Sequence, residues 1–361
     1  MAAIDPADPA DRACAAHARA LEHLDAGEPR AARRLLTAAH AIFTALGRDA
    51  RGDAANTLVE RSVAHRLLGD LADARADLEQ ALALLRRDRG RDVDRLRARA
   101  GADLTVVCID LGDYTSALRT ARRAARLADS LSAEFRAPVF NALGMACKYT
   151  ARFTEGLAAY RRAGVAARHA YPRDSLFHAS LEHNLGGLHH TAGDARRAEP
   201  HARRSVEIRK LHLGPDHPDV LADEAALAAV LDLAGRHDEA DALHRRVLAG
   251  FTAALGARHP EVAHATGNYA AHLQLCGRTD EAARLHRRAI TLKARALGDD
   301  HPATALERCN LAALEHARGR HARAAELLAR ASTGFLTNLG AAHPDTIDCR
   351  ERLAAARRAA R

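Results

Sequence analysis

Residues 213–220 read LGPDHPDV, and the same outline returns as LGARHPEV from Leu255, LGDDHPAT from Leu297 and LGAAHPDT from Leu339. Each step is 42 residues, without drift. Histidines on so regular a ladder, beside acidic residues, are either ligands and catalytic groups or punctuation in a repeated fold. Distance decides between the two. Successive copies in a helical array stand about one helix pair apart, near 10 Å, whereas nitrogens on a shared zinc each lie about 2.0–2.1 Å from the metal. The ladder cannot form one site. Pro218, Pro260, Pro302 and Pro344 each precede a helical stripe, where a fixed φ and a missing N–H do no harm. The histidine before each proline is held extended. Gly214, Gly256, Gly298 and Gly340 fall just past the preceding helix, where a left-handed residue is expected. LGxxHP is therefore a stop signal followed by a start signal.

A second landmark lies between these outlines, a small residue in a short polar turn. It appears at Gly193, Gly235, Gly277 and Gly319, again 42 residues apart, and working backwards at Ala151, Gly112, Gly69 and Gly27. Eight units result. Five residues after each turn stand Ala32, Ala74, Ala117, Gly156, Ala198, Ala240, Ala282 and Ala324. Twelve residues after each turn stand Ala39, Ala81, Ala124, Ala163, Ser205, Val247, Ala289 and Ala331. Side chains this small are what close helix pairing requires. Apolar residues flanking the turns follow helical spacing, as at Leu185 and Leu188, and no segment of useful length alternates with a period of two. The chain reads as all-α, helix–turn–helix repeated.

Composition agrees. Hydrophobic residues make up 48% of the 361 residues but aromatics only 3%, so the apolar content is mostly Ala, Leu and Val. The six cysteines stand alone with no C-x-x-C pair, which indicates neither a zinc site nor a disulfide framework and fits a reducing cytosol. The first residues, MAAIDPADPADRA, lack the cationic flank and apolar core of a signal peptide, and no apolar run reaches the length of a membrane span. The formal charge of +8 comes almost wholly from arginines that alternate with acids, without the interleaved aromatics on which bases stack. Solvated helix faces explain it better than nucleic acid does.

Units such as GRHDEADALHRRVLAGFTAALGARHPEVAHATGNYAAHL resemble tetratricopeptide repeats, most closely the 42-residue kind of kinesin light chains and many bacterial proteins. HNLGGLHHTAG and CNLAALEHARG are similar to that family's first helix, and RTDEAARLHRRAI to its second. The resemblance is strong over 177–361 and weaker over 12–176, where HP is missing; residues 1–11 read as a disordered terminus. HEAT-like and armadillo-like repeats have similar periods but do not account for the Gly turn and the EA signature. The resemblance implies one continuous right-handed superhelical solenoid of about eight units, closed by a capping helix at 345–359. First helices would line a concave groove that binds an extended peptide or protein.

On the groove side of the first helix, Asn184, Asn268 and Asn310 occupy equivalent positions, with Asn141 one place away. An amide offers two donors and an acceptor and can clamp a peptide backbone without reading its sequence. His183 and His190 share a face beside Asn184, but two turns, about 10 Å, separate them, so they do not ligate one ion together. Lys148 supplies positive charge for an acidic ligand. Catalytic signatures are missing: no G-x-S-x-G, no H-E-x-x-H and no P-loop. The expectation is a cytoplasmic, non-catalytic scaffold or adaptor without a cofactor or resident metal, holding a protein or peptide segment, with solenoid ends able to pair as a homodimer. Two alternatives stand beside it. One is a ligand-responsive sensor that acts through a separate effector protein. The other is an enzyme with chemistry built into the groove from His183, His190, Asp232 or His316.

Overall fold

The structure is a computed structural model that describes residues 8–341 and 343–361. Among the described residues there are seventeen α-helices and no strand. They fall into two compact units, divided between Ala192 and Gly193. Unit 1 holds α1 (Pro9–Asp25), α2 (Pro29–Leu46), α3 (Arg51–Leu68), α4 (Leu71–Leu84), α5 (Arg91–Asp110), α6 (Tyr114–Ala128), α7 (Ala133–Tyr149), α8 (Phe153–Ala170) and α9 (Leu176–Thr191). Unit 2 holds α10 (Ala195–Leu213), α11 (Pro218–Leu233), α12 (His237–Leu255), α13 (Pro260–Leu275), α14 (Thr279–Leu297), α15 (Pro302–Ala317), α16 (His321–Leu339) and α17 (Pro344–Ala359). Consecutive helices pair into hairpins, α1 with α2 through α7 with α8 in unit 1 and α11 with α12 through α15 with α16 in unit 2, and α17 packs on α16. The fold is the all-helical hairpin array expected from the sequence. The change in repeat regularity at 176/177 coincides with the start of α9, and the compact units divide one helix later. Of the eleven residues read as a disordered terminus, 1–7 lie outside the described residues. Pro9 to Asp11, by contrast, are helical, because Asp8 caps α1 by accepting the Ala10 N–H at 2.8 Å.

The small-residue register is the packing register. All sixteen positions five and twelve residues after the turns are buried. At Gly156 a Cβ would stand 2.8 Å from Leu188 Cδ1 and 3.1 Å from Cys147 Cβ, so helix approach there leaves no room for a methyl group.

The LGxxHP ladder behaves as punctuation, with a chemical detail of its own. His217, His259, His301 and His343 are the N-caps of α11, α13, α15 and α17. Each Nδ1 accepts the backbone N–H two residues on, at 3.1, 3.2, 3.1 and 3.2 Å. The neutral imidazole thus does the work usually given to Ser or Asp. Gly214, Gly256, Gly298 and Gly340 do have positive φ, +80 to +103°, but their ψ of 151 to 168° places them in an extended region open essentially to glycine, not in the compact left-handed helical region expected.

Buried charge follows the same register. Helix α10 contributes Arg209, which pairs with the fully buried Asp223 of α11. Two repeats on, α14 contributes Lys293, whose Nζ lies 2.5 Å from Glu307 of α15, itself 2.6 Å from His286 Nδ1. At the intervening repeat the equivalent residues are Phe251 and Ala265, both buried and apolar.

Candidate functional site

Helices α7 and α9 of unit 1 pack together and bring several of the sequence-selected residues onto one face. Asn184 Nδ2 donates to Asn141 Oδ1 at 3.1 Å, which forms a rung between the two helices. One turn along α9 stands Gly187, and two turns along α7 stands Lys148. A Cβ at Gly187 would meet Lys148 Nζ at 3.5 Å, an ordinary contact distance, so the lysine lies close against α9 at Gly187. The ammonium sits 4.6 Å from the Tyr149 ring centroid, and Tyr149 stacks on Tyr114 with centroids 5.0 Å apart. The ring faces supply cation–π stabilisation, but burial holds the amine below the usual lysine range. No carboxylate among the described residues pairs with it. A partly desolvated cation with an aromatic neighbour and no carboxylate is a group whose charged form the fold itself does little to stabilise.

His183 and His190 lie on the same helix, half-buried and seven residues apart, about 10 Å along the axis. His183 neighbours Asn184, and both histidines already have interactions within the fold. Asn268, Asn310 and His316 belong to unit 2, on α13 and α15, and all three are exposed. His316 packs against His321, with Nδ1 atoms 3.1 Å apart. The structure therefore divides the selected residues between the units and gives the asparagines different settings: Asn184 is buried and bonded, Asn268 and Asn310 face solvent.

The residues proposed for catalysis do not share a cavity described here. A cavity of about 530 Å³ between α4, α5 and α6 is lined by Arg86, Arg97, Arg119 and Arg123 among others, and by none of His183, His190, Asp232 or His316. The Asp232 carboxyl is pulled down to about 2: burial opposes ionisation, but hydrogen bonds from His244, His272 and His237 outweigh it. It is correspondingly a weak base.

Sequence reading missed Tyr114 and Tyr149. Their scarcity was the available signal, since a chain with five tyrosines places two of them at the turn ends of neighbouring hairpins. It also missed the buried carboxylates Asp223 and Glu307, which stand in register with apolar residues of sister repeats.

Comparison with known proteins places this fold. Tetratricopeptide repeat patterns match residues 177–253, 222–293 and 261–337, and a second pattern of the same description matches 54–92; together they span more than half of the chain. No curated protein matches it significantly in sequence. Among solved structures, a Rap protein complexed with competence and sporulation factor is similar over 96% of this chain and 98% of its own, at 12% identity and a TM-score of 0.62. NprR in complex with its cognate peptide NprX is similar over 83% and 82%, at 11% identity and a TM-score of 0.57. The nearly identical kinesin light chain TPR-like repeats of Podosopora anserina align over 58% of this chain and 98% of theirs, at 21% identity and a TM-score of 0.46. The likeness to the Rap and NprR structures, at these identities, speaks for the fold alone. No helix among the described residues is long and apolar enough to cross a membrane. With its hairpin register, its buried small-residue positions and its matched repeats, the chain belongs to the tetratricopeptide repeat family.

Proposed function

We propose that this chain is a non-catalytic binding module that holds an extended, acidic peptide segment, with Lys148 taking a ligand carboxylate and the Asn141–Asn184 rung clamping the peptide backbone. The observation that carries this reading is Lys148 itself. A lysine whose amine is desolvated and left without a carboxylate costs stability, so it is better explained by a ligand than by the fold. His183 and His190 flank the clamp on α9. Asn268 and Asn310, exposed on successive first helices of unit 2, are assigned the same backbone-clamping role, with His316 beside them. A peptide-responsive sensor is the second reading, favoured by the likeness to NprR in complex with its cognate peptide NprX.

The test separates binding from folding. Labelled peptides of equal length, with acidic or amide side chains and with free or amidated C-termini, are titrated against the wild type, Lys148→Met and Asn141→Ala/Asn184→Ala. The wild type should prefer acidic or free-carboxylate peptides, and Lys148→Met should lose that preference by ten-fold or more while its denaturation midpoint holds or rises. Equal affinity of wild type and Lys148→Met for every peptide would overturn the assignment.

A further inference from the structure

Unit 2 gathers a second cluster that the peptide reading does not use. Asp232 ends α11, His237 begins α12 with His244 two turns on, His272 lies in the last turn of α13, and Cys276 is the residue that caps it. The Asp232 carboxylate receives three imidazoles: His272 Nδ1 at 2.7 Å, His244 Nε2 at 3.0 Å and His237 Nδ1 at 3.2 Å. A neutral imidazole that spends its Nδ1–H on a carboxylate keeps Nε2 as a bare lone pair, which is the orientation a metal-ligating histidine needs. His272 Nε2 faces Cys276 Sγ at 3.5 Å. One ring nitrogen of His237, one of His272 and the Cys276 sulfur all lie within 4.8 Å of one another. Ligand atoms held about 2.0–2.3 Å from a tetrahedral ion stand about 3.3–3.8 Å apart, so closure needs only small side-chain rotations. His272 is buried and fixed, while His237 and Cys276 are accessible, which leaves an entry path.

We propose that His237, His272 and Cys276 form a zinc-class metal site, oriented from behind by Asp232. Two imidazoles and a thiolate suit Zn²⁺ and exclude Mg²⁺ and Ca²⁺, which take oxygen ligands. Binding forms an S–Zn bond and releases the Cys276 thiol proton to solvent; no electrons are transferred. The fourth position falls to water, because Asp241, 3.5 Å from His272 Nε2, is already engaged by Tyr269 at 3.1 Å and Arg278 at 3.3 Å. No short motif announces this site, since its three ligands come from the start of one helix and the end of another. An ion there would tie the α11–α12 hairpin to α13.

The test uses the full-length protein freed of metal by chelation and titrated with Co²⁺. One equivalent should bind with a thiolate-to-cobalt charge-transfer band, Zn²⁺ should displace it, and Mg²⁺ should not. Cys276→Ser should abolish the band, and His237→Ala should weaken binding at least ten-fold; both residues are accessible, so both variants should keep wild-type helicity. Asp232→Asn should weaken binding about 10- to 100-fold through lost orientation of the imidazoles. Absence of the charge-transfer band in wild type, or the same affinity in Cys276→Ser, would overturn the site, and neither result bears on peptide binding through unit 1.

Discussion

Lys148 of unit 1 and Asp232 of unit 2 occupy the same place in the repeat, three residues before the turn residues Ala151 and Gly235. Their chemistry is opposite. Lys148 has an aromatic neighbour and no carboxylate; Asp232 has three imidazoles and is fully ionised. The backbone register fixes where a side chain projects, and the neighbouring repeat decides what it meets. Lys148 lies against Gly187, whereas the repeat after Asp232 supplies His272. Sister positions in a repeat array therefore share a direction of projection and can differ in chemistry.

The largest test of this contrast lies in the buried charges. Unit 2 places Lys293 and Glu307 where unit 1 has Ala167 and Leu181, all four of them buried. Lys293→Met should cost about 3–5 kcal/mol, because it strips the ammonium from a buried carboxylate and leaves it His286 alone. The double change Lys293→Phe/Glu307→Ala copies the sister pair Phe251 and Ala265 and should restore part of that loss, the buried His286 imidazole being left without its carboxylate. Chemical denaturation measures both. A double variant no more stable than the single one would show that the surroundings of the ion pair are not interchangeable between repeats.

A smaller effect separates the caps of the two units by pH. Burial holds the His301 imidazole below its ordinary value, which favours the neutral form that caps α15. That contribution, of order 1 kcal/mol, is full above about pH 6.5 and is lost as pH falls through the lowered folded value. In unit 1, Asp113 caps α6 by accepting the Ser116 N–H at 3.0 Å. Burial raises its carboxyl, but hydrogen bonds from Ser116 and Arg75 outweigh burial and hold it below the usual range. This cap is full above about pH 3.9 and is lost only on further acidification. Hydrogen exchange followed as pH falls below about 6.5, corrected for intrinsic rates, should show the Ala303 amide losing protection before Ser116 does; losses at the same pH would refute the histidine-cap account.

The smallest effect concerns the one turn that unit 1 builds differently. Ala151 holds φ +54° where its counterparts in the other hairpins are glycine, a conformation that strains an L-residue by roughly 1–2 kcal/mol. Ala151→Gly should therefore stabilise the chain, by less than about 1 kcal/mol once the added freedom of the unfolded state is counted. A lower midpoint would mean that the Ala151 methyl group has a packing role.

Much of this fold was legible because each hairpin repeats a stop, a start, a turn and two small residues at fixed offsets, and Ala151 could be placed as a turn although it is not glycine. The candidate sites were less legible. Asn184 and Lys148 were selected by position, but the Asn141 rung and the contact of Lys148 with Gly187 depend on how α7 meets α9. His272 and Cys276 gave no sign at all, since their proximity to Asp232 and His237 arises only when residues 35 or more apart are packed. A periodic sequence reports its own lattice well and the exceptions to that lattice poorly.

The alternation of charged and apolar contacts between successive hairpins has a further consequence. Units so alike could in principle stack in any order, yet a slip by one repeat would set Arg209 against Ala265 and Phe251 against Glu307, stranding a charge on an apolar side chain at each step. Only a slip by two repeats would match like with like. Arg209, Phe251 and Lys293 thus act as a parity code that lets nearly identical neighbours recognise which of them comes next.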